Sequence, residues 1–490
     1  MASWSLGRRA GLIAIGQATV KTSQLVIAVV LVRLLTPEVW TQVALLLSIY
    51  LAAVTIGTLN LQQSLLFFMP RLAVSQRRRL VERTALVMGA VALLIGVVLV
   101  VLTPWLSTGR PGMSGALPFI ALAIVIEIPS AAAPPALLSI DRLGLAATWD
   151  VITTTTLVAC VVGAAAAGCG IGGIAKAILL AACVRMVLFL AVVRHSFPGA
   201  TTALPPGLLQ RQVRYGVPLG LTIAASVLNR SVDKWLVAAF APDDLGVYTV
   251  AAQEIPLLAV LPYAGGAAVV TRVIDAFRTG DRETARGWWV HQTAAMSAVV
   301  VPMSAALILV APQLIALVFT PEYAAGVLPF QLFTAITLHR VAEYGLVLRA
   351  ADRTRDLLLS AVVLLGANVV LAGIGAWGWG MVGASLGTLL ANVLAWLFVL
   401  SRLADAFGSE VSHSFAWGSW LACIAASGAA VVVATVMAHV VTESALASVI
   451  VKLGVFLPIV VLAHKVTRRS IPAAPHERPV DVIAWSEAAP

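Results

Sequence analysis

The sequence predicts an all-α integral membrane protein with about fourteen transmembrane helices, and three observations lead to this prediction. Of the 490 residues, 60% are apolar and only 11% are charged, and the mean hydropathy is +0.98, which excludes a water-soluble globular chain. The apolar residues form blocks of about twenty, the length that a helix needs to cross roughly 30 Å of hydrocarbon. Long apolar runs such as residues 85–102 do not alternate as the strands of a membrane barrel would.

Short charged loops separate the apolar blocks and set the order of the helices. The predicted ranges are 10–35, 42–67, 84–104, 116–139, 147–167, 173–193, 213–240, 246–271, 289–311, 324–348, 357–376, 380–401, 416–439 and 445–464.

Lysine and arginine distribute unevenly between alternate loops, as expected when cytoplasmic loops retain them. With the N-terminus inside, 23 of the 32 basic residues fall on inside segments, and Arg110 is the clear cation of the outside loops. We therefore expect a multi-pass protein of the cytoplasmic membrane with both termini in the cytoplasm. The net charge of +10 is explained by topology, so no nucleic-acid partner is expected.

An internal repeat relates the two halves of the chain. A shift of 205 residues places Leu35-Thr36-Pro37-Glu38 on Phe240-Ala241-Pro242-Asp243, and Ser75-Gln76-Arg77 on Gly280-Asp281-Arg282. Six helices separate the copies, so the repeat is parallel. We predict an N-lobe (1–200, helices 1–6), a linker (201–212), a C-lobe (213–402, helices 7–12), two further helices (403–465) and a disordered cytoplasmic tail (466–490).

The same residues carry a resemblance to a known family. The first run of residues is Leu-Val-Arg-Leu-Leu-Thr-Pro-Glu, from Leu31 to Glu38, and the second is Tyr215-Gly216-Val217-Pro218-Leu219 followed by Asp233-Lys234. These two runs resemble the polysaccharide-transport branch of the multidrug/oligosaccharidyl-lipid/polysaccharide (MOP) exporter superfamily. The resemblance covers about residues 1–400. This branch of the superfamily includes the O-antigen and lipid-linked oligosaccharide flippases. Thr41 stands near a position where glycine is usual in that family.

The resemblance implies a two-lobed transporter that works by alternating access. Its implied cargo is an oligosaccharide on a polyprenyl diphosphate, moved for extracellular polysaccharide or cell-wall glycan synthesis. Implied partners are this lipid-linked oligosaccharide, membrane lipids, and a polysaccharide polymerase or glycosyltransferases. On this interpretation the chain is a transporter and not an enzyme.

Charged side chains within apolar helices are costly, so they normally face a cavity or a partner. Gln17, Lys21 and Gln24 share one face of helix 1, and Ser226 and Asn229 of helix 7 align with Lys21 and Gln24 in the repeat. The predicted substrate-binding residues are Gln17, Lys21, Gln24, Arg185, Arg230 and Arg340. Guanidinium groups bind phosphate oxygens in a bidentate manner, which favours the arginines. Alternatives remain: the stripe can be a packing feature, Arg230 can neutralise Asp233, and Glu343 can pair with Arg340.

Two carboxylates are predicted to couple transport to Na⁺ or H⁺. Asp233 lies on helix 7, and Glu254 lies within helix 8, two residues before Pro256. A carboxylate beside a proline-broken helix can titrate or bind Na⁺ near freed carbonyl groups. Glu127, two residues before Pro129, has the same setting, and the alternative for such an acid is a structural pair with a nearby cation.

No other cofactor is expected. The sequence lacks a GxxxxGK[ST] motif for nucleotide and an HExxH motif or a His or Cys cluster for a metal. Two other functions stay open. A multidrug antiporter of the same superfamily should have an anionic cavity, whereas cations outnumber acids here. A membrane-embedded glycosyltransferase normally carries an acid on a substantial first outer loop, which here spans only about residues 36–41.

Overall fold

The computed structural model describes residues 23, 25–197, 199, 202–441 and 444–467, and within these ranges the chain forms helices and turns without a strand. We number the helices in chain order as α1 (Leu25–Leu34), α2 (Pro37–Gly57), α3 (Leu61–Phe68), α4 (Val74–Leu106), α5 (Met113–Ser130), α6 (Ala133–Ser139), α7 (Leu143–Ala166), α8 (Gly170–Ser196), α9 (Leu208–Phe240), α10 (Leu245–Ala251), α11 (Pro256–Arg278), α12 (Arg282–Val318), α13 (Val327–Ile336), α14 (Tyr344–Ala350), α15 (Thr354–Phe407), α16 (Trp417–Val441) and α17 (Ala445–Thr467).

The predicted class, an all-α multi-pass membrane protein, is confirmed. Within the described residues, nine helical spans are long and apolar enough to cross a membrane. One of the nine is α15, whose 54 residues contain a kink at Trp379 and Gly380. The number of spans therefore depends on how such kinks and breaks are counted, and the count of fourteen stays a prediction.

The kink divides α15 into two helices, 354–378 and 381–407, that turn back on each other. Gly380 has a φ of 57°, a conformation that glycine adopts at little cost. A Cβ atom added at Gly387 would collide with the carbonyl oxygen of Leu371. The absence of a side chain therefore lets the two backbones pack in direct contact.

Four predicted helices are each divided by a short irregular segment: helix 2 at 58–60, helix 4 at 131–132, helix 8 at 252–255 and helix 10 at 337–343. The prediction of one continuous helix was wrong for helices 2 and 10, whereas the breaks in helices 4 and 8 lie beside Pro129 and Pro256, where the sequence predicted a proline-broken helix. In helix 2, Leu59 and Asn60 have positive φ values of 46° and 56°, which end the helix. In helix 8, Pro256 lacks an N–H group and disfavours helical backbone before it. Helix 10 has no proline at its break, and the groups that stabilise this break are described below.

The chain forms two compact units. The first contains the described residues up to Ala259 together with Leu307–Ile336 and Leu358–Ala395, and the second contains Val260–Ala306, Thr337–Leu357 and the described residues from Trp396. The first unit includes segments of both predicted lobes. The predicted lobes themselves stay a prediction, and of the predicted tail 466–490 only the first two residues are described.

In the first unit, helix α9 packs beside helices α2 and α3. The Trp235 indole donates a hydrogen bond to the Ser48 hydroxyl at 3.1 Å. The buried amide of Gln212 donates to the Ser64 and Thr84 hydroxyls at 2.8 Å each. These contacts join both ends of α9, which spans the end of the predicted linker and the start of the predicted C-lobe, to the predicted N-lobe.

Candidate functional site: polar side chains within the membrane helices

Three of the predicted substrate-binding residues, Gln17, Lys21 and Gln24, lie outside the described residues. The other predicted site residues are described, and each has a definite environment.

Arg185 on α8 forms an ion pair inside the first unit. Its Nη1 atom lies 2.6 Å from Oε1 of Glu127 on α5, and the Tyr50 hydroxyl on α2 donates a hydrogen bond to the other carboxylate oxygen. The Glu127 side chain is 7% exposed and that of Arg185 is 27% exposed. The cluster therefore connects three helices through one buried carboxylate, which makes Glu127 the structural partner of Arg185.

Asp233 on α9 is 3% exposed and accepts two hydrogen bonds. They come from the backbone N–H of Lys234 at 2.9 Å and from the Tyr248 hydroxyl at 3.0 Å. Arg230 is exposed, and its carbonyl oxygen accepts a hydrogen bond from the Lys234 ammonium at 2.8 Å. The hydrogen bonds described for Asp233 thus come from Lys234 and Tyr248 and not from Arg230, the neutralising partner anticipated from the sequence.

Polar groups from three helical segments lie near Asp233. Asn229, one turn before it, accepts hydrogen bonds from the Asn368 amide at 3.0 Å on its side chain and 3.1 Å on its backbone. Thr388 approaches the Tyr248 hydroxyl. The side-chain oxygens of Asn368 and Thr388 are buried and have no hydrogen-bond donor in the described structure. Buried oxygen atoms normally have a partner, so the Asn368 oxygen is a candidate ligand for a cation.

Glu254 lies in the break between α10 and α11 and is exposed. The prediction placed it within a helix two residues before a proline. The proline break is present, but Glu254 is part of the irregular segment itself.

Arg340 occupies the break between α13 and α14 and is exposed, whereas both of its neighbours are buried. His339 is 6% exposed and Val341 is fully buried. The carboxylate of Glu343, the competing partner anticipated for Arg340, lies 3.4 Å from Nη2 of Arg349. Arg340 is thus an exposed residue in a segment whose flanking side chains are buried.

Sequence reasoning missed Tyr50, Tyr248, Asn368 and Thr388. The two tyrosines lie in apolar runs, where an aromatic residue is most simply interpreted as core. Asn368 could have been found, because an amide in an otherwise apolar helix meets the same criterion of unfavourable polarity that selected the charged residues.

These observations define a class: a polytopic membrane protein whose apolar helices bury ion-paired and hydrogen-bonded polar side chains. A family model described as "Polysaccharide biosynthesis protein" matches residues 6–270. The chain belongs to this family. A comparison with curated protein sequences finds no match.

Solved structures share the fold. The structure titled lipid II flippase MurJ, in an inward closed conformation, is 13% identical, with a TM-score of 0.73, and the match covers 94% of this chain and 99% of that one. An inward-facing multidrug resistance MATE family transporter of the MOP superfamily is 14% identical, with a TM-score of 0.57 and coverage of 82% and 99%. The MATE multidrug transporter DinF-BH gives an identity of 14%, a TM-score of 0.57 and coverage of 83% and 98%. The fold that the resemblance implied is confirmed, because these solved structures share it.

Proposed function

We propose that the protein is a flippase that moves a polyprenyl-diphosphate-linked oligosaccharide across the cytoplasmic membrane by alternating access, for extracellular polysaccharide or cell-wall glycan synthesis. The observation that carries the proposal is the combination of a polysaccharide biosynthesis family match with the fold of a lipid II flippase over 94% of the chain. The MATE structures cover 82% to 83%. The proposed orientation has both termini in the cytoplasm, and polymerase or glycosyltransferase partners are part of the proposal.

Arg340 is the described cation that best suits a diphosphate. An arginine binds phosphate oxygens through two parallel hydrogen bonds, and the Arg340 side chain is exposed on a segment with buried neighbours. Arg230 is also exposed and is the second candidate. Arg185 is committed to Glu127, so its proposed contact with cargo requires that it keep or exchange this partner.

Asp233 is the proposed coupling residue. Na⁺ prefers oxygen ligands, and a carboxylate, an amide oxygen and a hydroxyl oxygen from Asp233, Asn368 and Thr388 are all buried. The Asn368 oxygen lacks a donor among the described residues, which fits a cation better than it fits simple packing. Glu254 remains a second coupling candidate, but its carboxylate is exposed in a break.

Transport in proteoliposomes tests the function. Vesicles that contain the purified protein are loaded with a fluorescent polyprenyl-diphosphate oligosaccharide in both leaflets, and a membrane-impermeant enzyme or quencher reports the outer-leaflet fraction. We expect protein-dependent exchange between leaflets. Vesicles that accumulate a cationic dye but do not move the lipid-linked glycan would contradict the proposal and favour the multidrug antiporter, the alternative with the same fold.

The coupling residue is tested with Asp233→Asn and Glu254→Gln in the same vesicles. If Asp233 binds the ion, Asp233→Asn abolishes the stimulation by a Na⁺ or H⁺ gradient and leaves downhill exchange of the lipid. Glu254→Gln serves as the matched control and should keep the stimulation. If Glu254→Gln loses the stimulation and Asp233→Asn keeps it, Glu254 is the coupling residue. Full stimulation in both variants would show that neither residue couples transport to the ion.

A further inference from the structure

A cluster of aromatic side chains, defined here as Trp289, His339, Tyr344, Trp396, Phe415, Trp417 and Trp420, lies within the second unit. Trp396 is at its centre, with ring centroids 5.1 Å from His339, 5.6 Å from Phe415, 5.4 Å from Trp417 and 5.4 Å from Trp420. Residues 415–420 lead into and begin α16, the first of the two helices that follow the repeat. The cluster therefore joins α16 to the break between α13 and α14.

The break leaves backbone carbonyl groups without helical partners, since the last carbonyls of any helix lack an N–H donor from the following turn. The Trp420 indole N–H donates to the carbonyl of Leu338 at 2.7 Å. The Tyr344 hydroxyl donates to the carbonyl of His339 at 2.5 Å and in turn accepts from the Trp396 indole at 2.9 Å. Aromatic donors thus supply the hydrogen bonds that a continuous helix would have supplied.

The two carbonyl groups belong to Leu338 and His339, the two residues that precede Arg340. His339 is buried against Trp396, and Val341 and Ala342 are buried on the other side. The direction of the exposed Arg340 side chain is consequently set by a short backbone segment that Trp420 and Tyr344 hold in place.

We propose that Trp420 is a positioning residue for Arg340: through its hydrogen bond to the Leu338 carbonyl, the first helix after the repeat fixes the helix break that presents this arginine to the diphosphate of the cargo. The proposal rests on the proposed function for the diphosphate contact, whereas the fixing of the break does not depend on the cargo. It gives α16 a role in transport beyond completing the bundle.

Trp417 provides a matched control within the same cluster. It is three residues from Trp420, it packs on Trp396, and its indole donates to the carbonyl of Val411 at 3.1 Å, within its own segment. Phenylalanine at either position keeps a ring and removes the N–H donor. Only Trp420→Phe removes a donor from the break.

Amide hydrogen exchange of residues 337–343, measured by mass spectrometry on the full-length protein, reads the break directly. We expect Trp420→Phe to speed exchange in this segment by about three- to ten-fold, the effect of losing one hydrogen bond to a buried carbonyl. Trp417→Phe should leave it unchanged. Tyr344→Phe, which removes the donor to the His339 carbonyl, should also speed exchange. It is the second variant, to be used if Trp420→Phe folds poorly.

Binding of polyprenyl diphosphate then tests the role of Arg340. If Trp420 acts through Arg340, Trp420→Phe weakens binding in the wild-type background and has no further effect in an Arg340→Ala background. Unchanged exchange in both Trp420→Phe and Tyr344→Phe would overturn the positioning role. Faster exchange, together with wild-type binding by Arg340→Ala, would leave the break assignment in place and overturn the diphosphate role of Arg340 in the proposed function.

Discussion

The predicted 205-residue repeat aligns helix 4 with helix 10, and both are broken at nearly the same repeat position, after Ser130 and after Ile336. The first break spans two residues and closes on itself, because Ala131 and Ala132 donate to the carbonyls of Ile128 and Pro129 at 3.1 and 3.3 Å. The second spans seven residues; the Arg340 N–H donates to the Thr337 carbonyl at 3.1 Å, and further donors come from the side chains of Tyr344 and the distant Trp420. One repeat position has therefore produced a compact break and an extended one.

The charged residues beside the two breaks also differ, in their burial and in their contacts. Glu127 beside the first break is buried, is neutralised by Arg185 and accepts a hydrogen bond from Tyr50. Arg340 at the second is exposed between buried neighbours. Removing one partner of a buried ion pair is costly, whereas an exposed guanidinium can be reached by the oxygens of a phosphate. Under the proposed function, the ion pair at the first break is structural and Arg340 at the second break binds the cargo.

The largest expected effect is on stability at the first break. Glu127→Leu leaves the Arg185 guanidinium without its partner, and breaking a buried pair costs about 3 kcal/mol, less if the exposed part of Arg185 finds water. We expect a clear fall in the melting temperature of the purified protein, and the double variant with Arg185→Met should recover most of it.

The double variant also separates structure from transport. Glu127→Leu with Arg185→Met, if it is stable and still exchanges lipid-linked glycan in vesicles, confirms a purely structural pair. A stable but inactive double variant would show that Arg185 contacts the cargo, as the sequence first predicted, and would break the contrast between the two regions.

Arg340→Ala should have the opposite profile. Loss of one charge-assisted hydrogen bond to phosphate is worth roughly 2 kcal/mol, or about thirty-fold in affinity for polyprenyl diphosphate, while an exposed side chain contributes little to stability. Arg349→Ala, an exposed arginine on the adjacent α14, is the matched control and should bind normally. Wild-type affinity in Arg340→Ala, measured by binding titration, would remove the binding role from the second break.

The charged residues of this contrast could be predicted from the sequence, but their tertiary partners could not. The apolar blocks, the repeat, and the candidate residues Glu127, Arg185 and Arg340 follow from hydropathy and from the cost of charge in a membrane. The Glu127–Arg185 pair joins residues 58 positions apart, and the Trp420 contact joins residues 82 apart, so both depend on how helices pack. Helix periodicity carries no information about such partners.

The sequence was least informative at the extended break. Helix 8 contains Pro256, which signals an interruption, but residues 337–343 contain neither proline nor glycine. In this segment a tertiary hydrogen bond from Trp420 and a local one from Tyr344 replace those of a helix. Tertiary contacts override local propensity here, and no local pattern reports them.

The smallest expected effect concerns Glu343, at the end of the extended break. Its carboxylate lies 3.4 Å from Arg349, and the two side chains are 41% and 52% exposed, so water screens the pair and its contribution should stay below about 1 kcal/mol. Glu343→Gln should therefore change neither the melting temperature measurably nor the affinity for polyprenyl diphosphate. Tighter binding of the diphosphate by Glu343→Gln would mean that this carboxylate competes for Arg340, and the second break would then resemble the first in holding its arginine with a neighbouring acid.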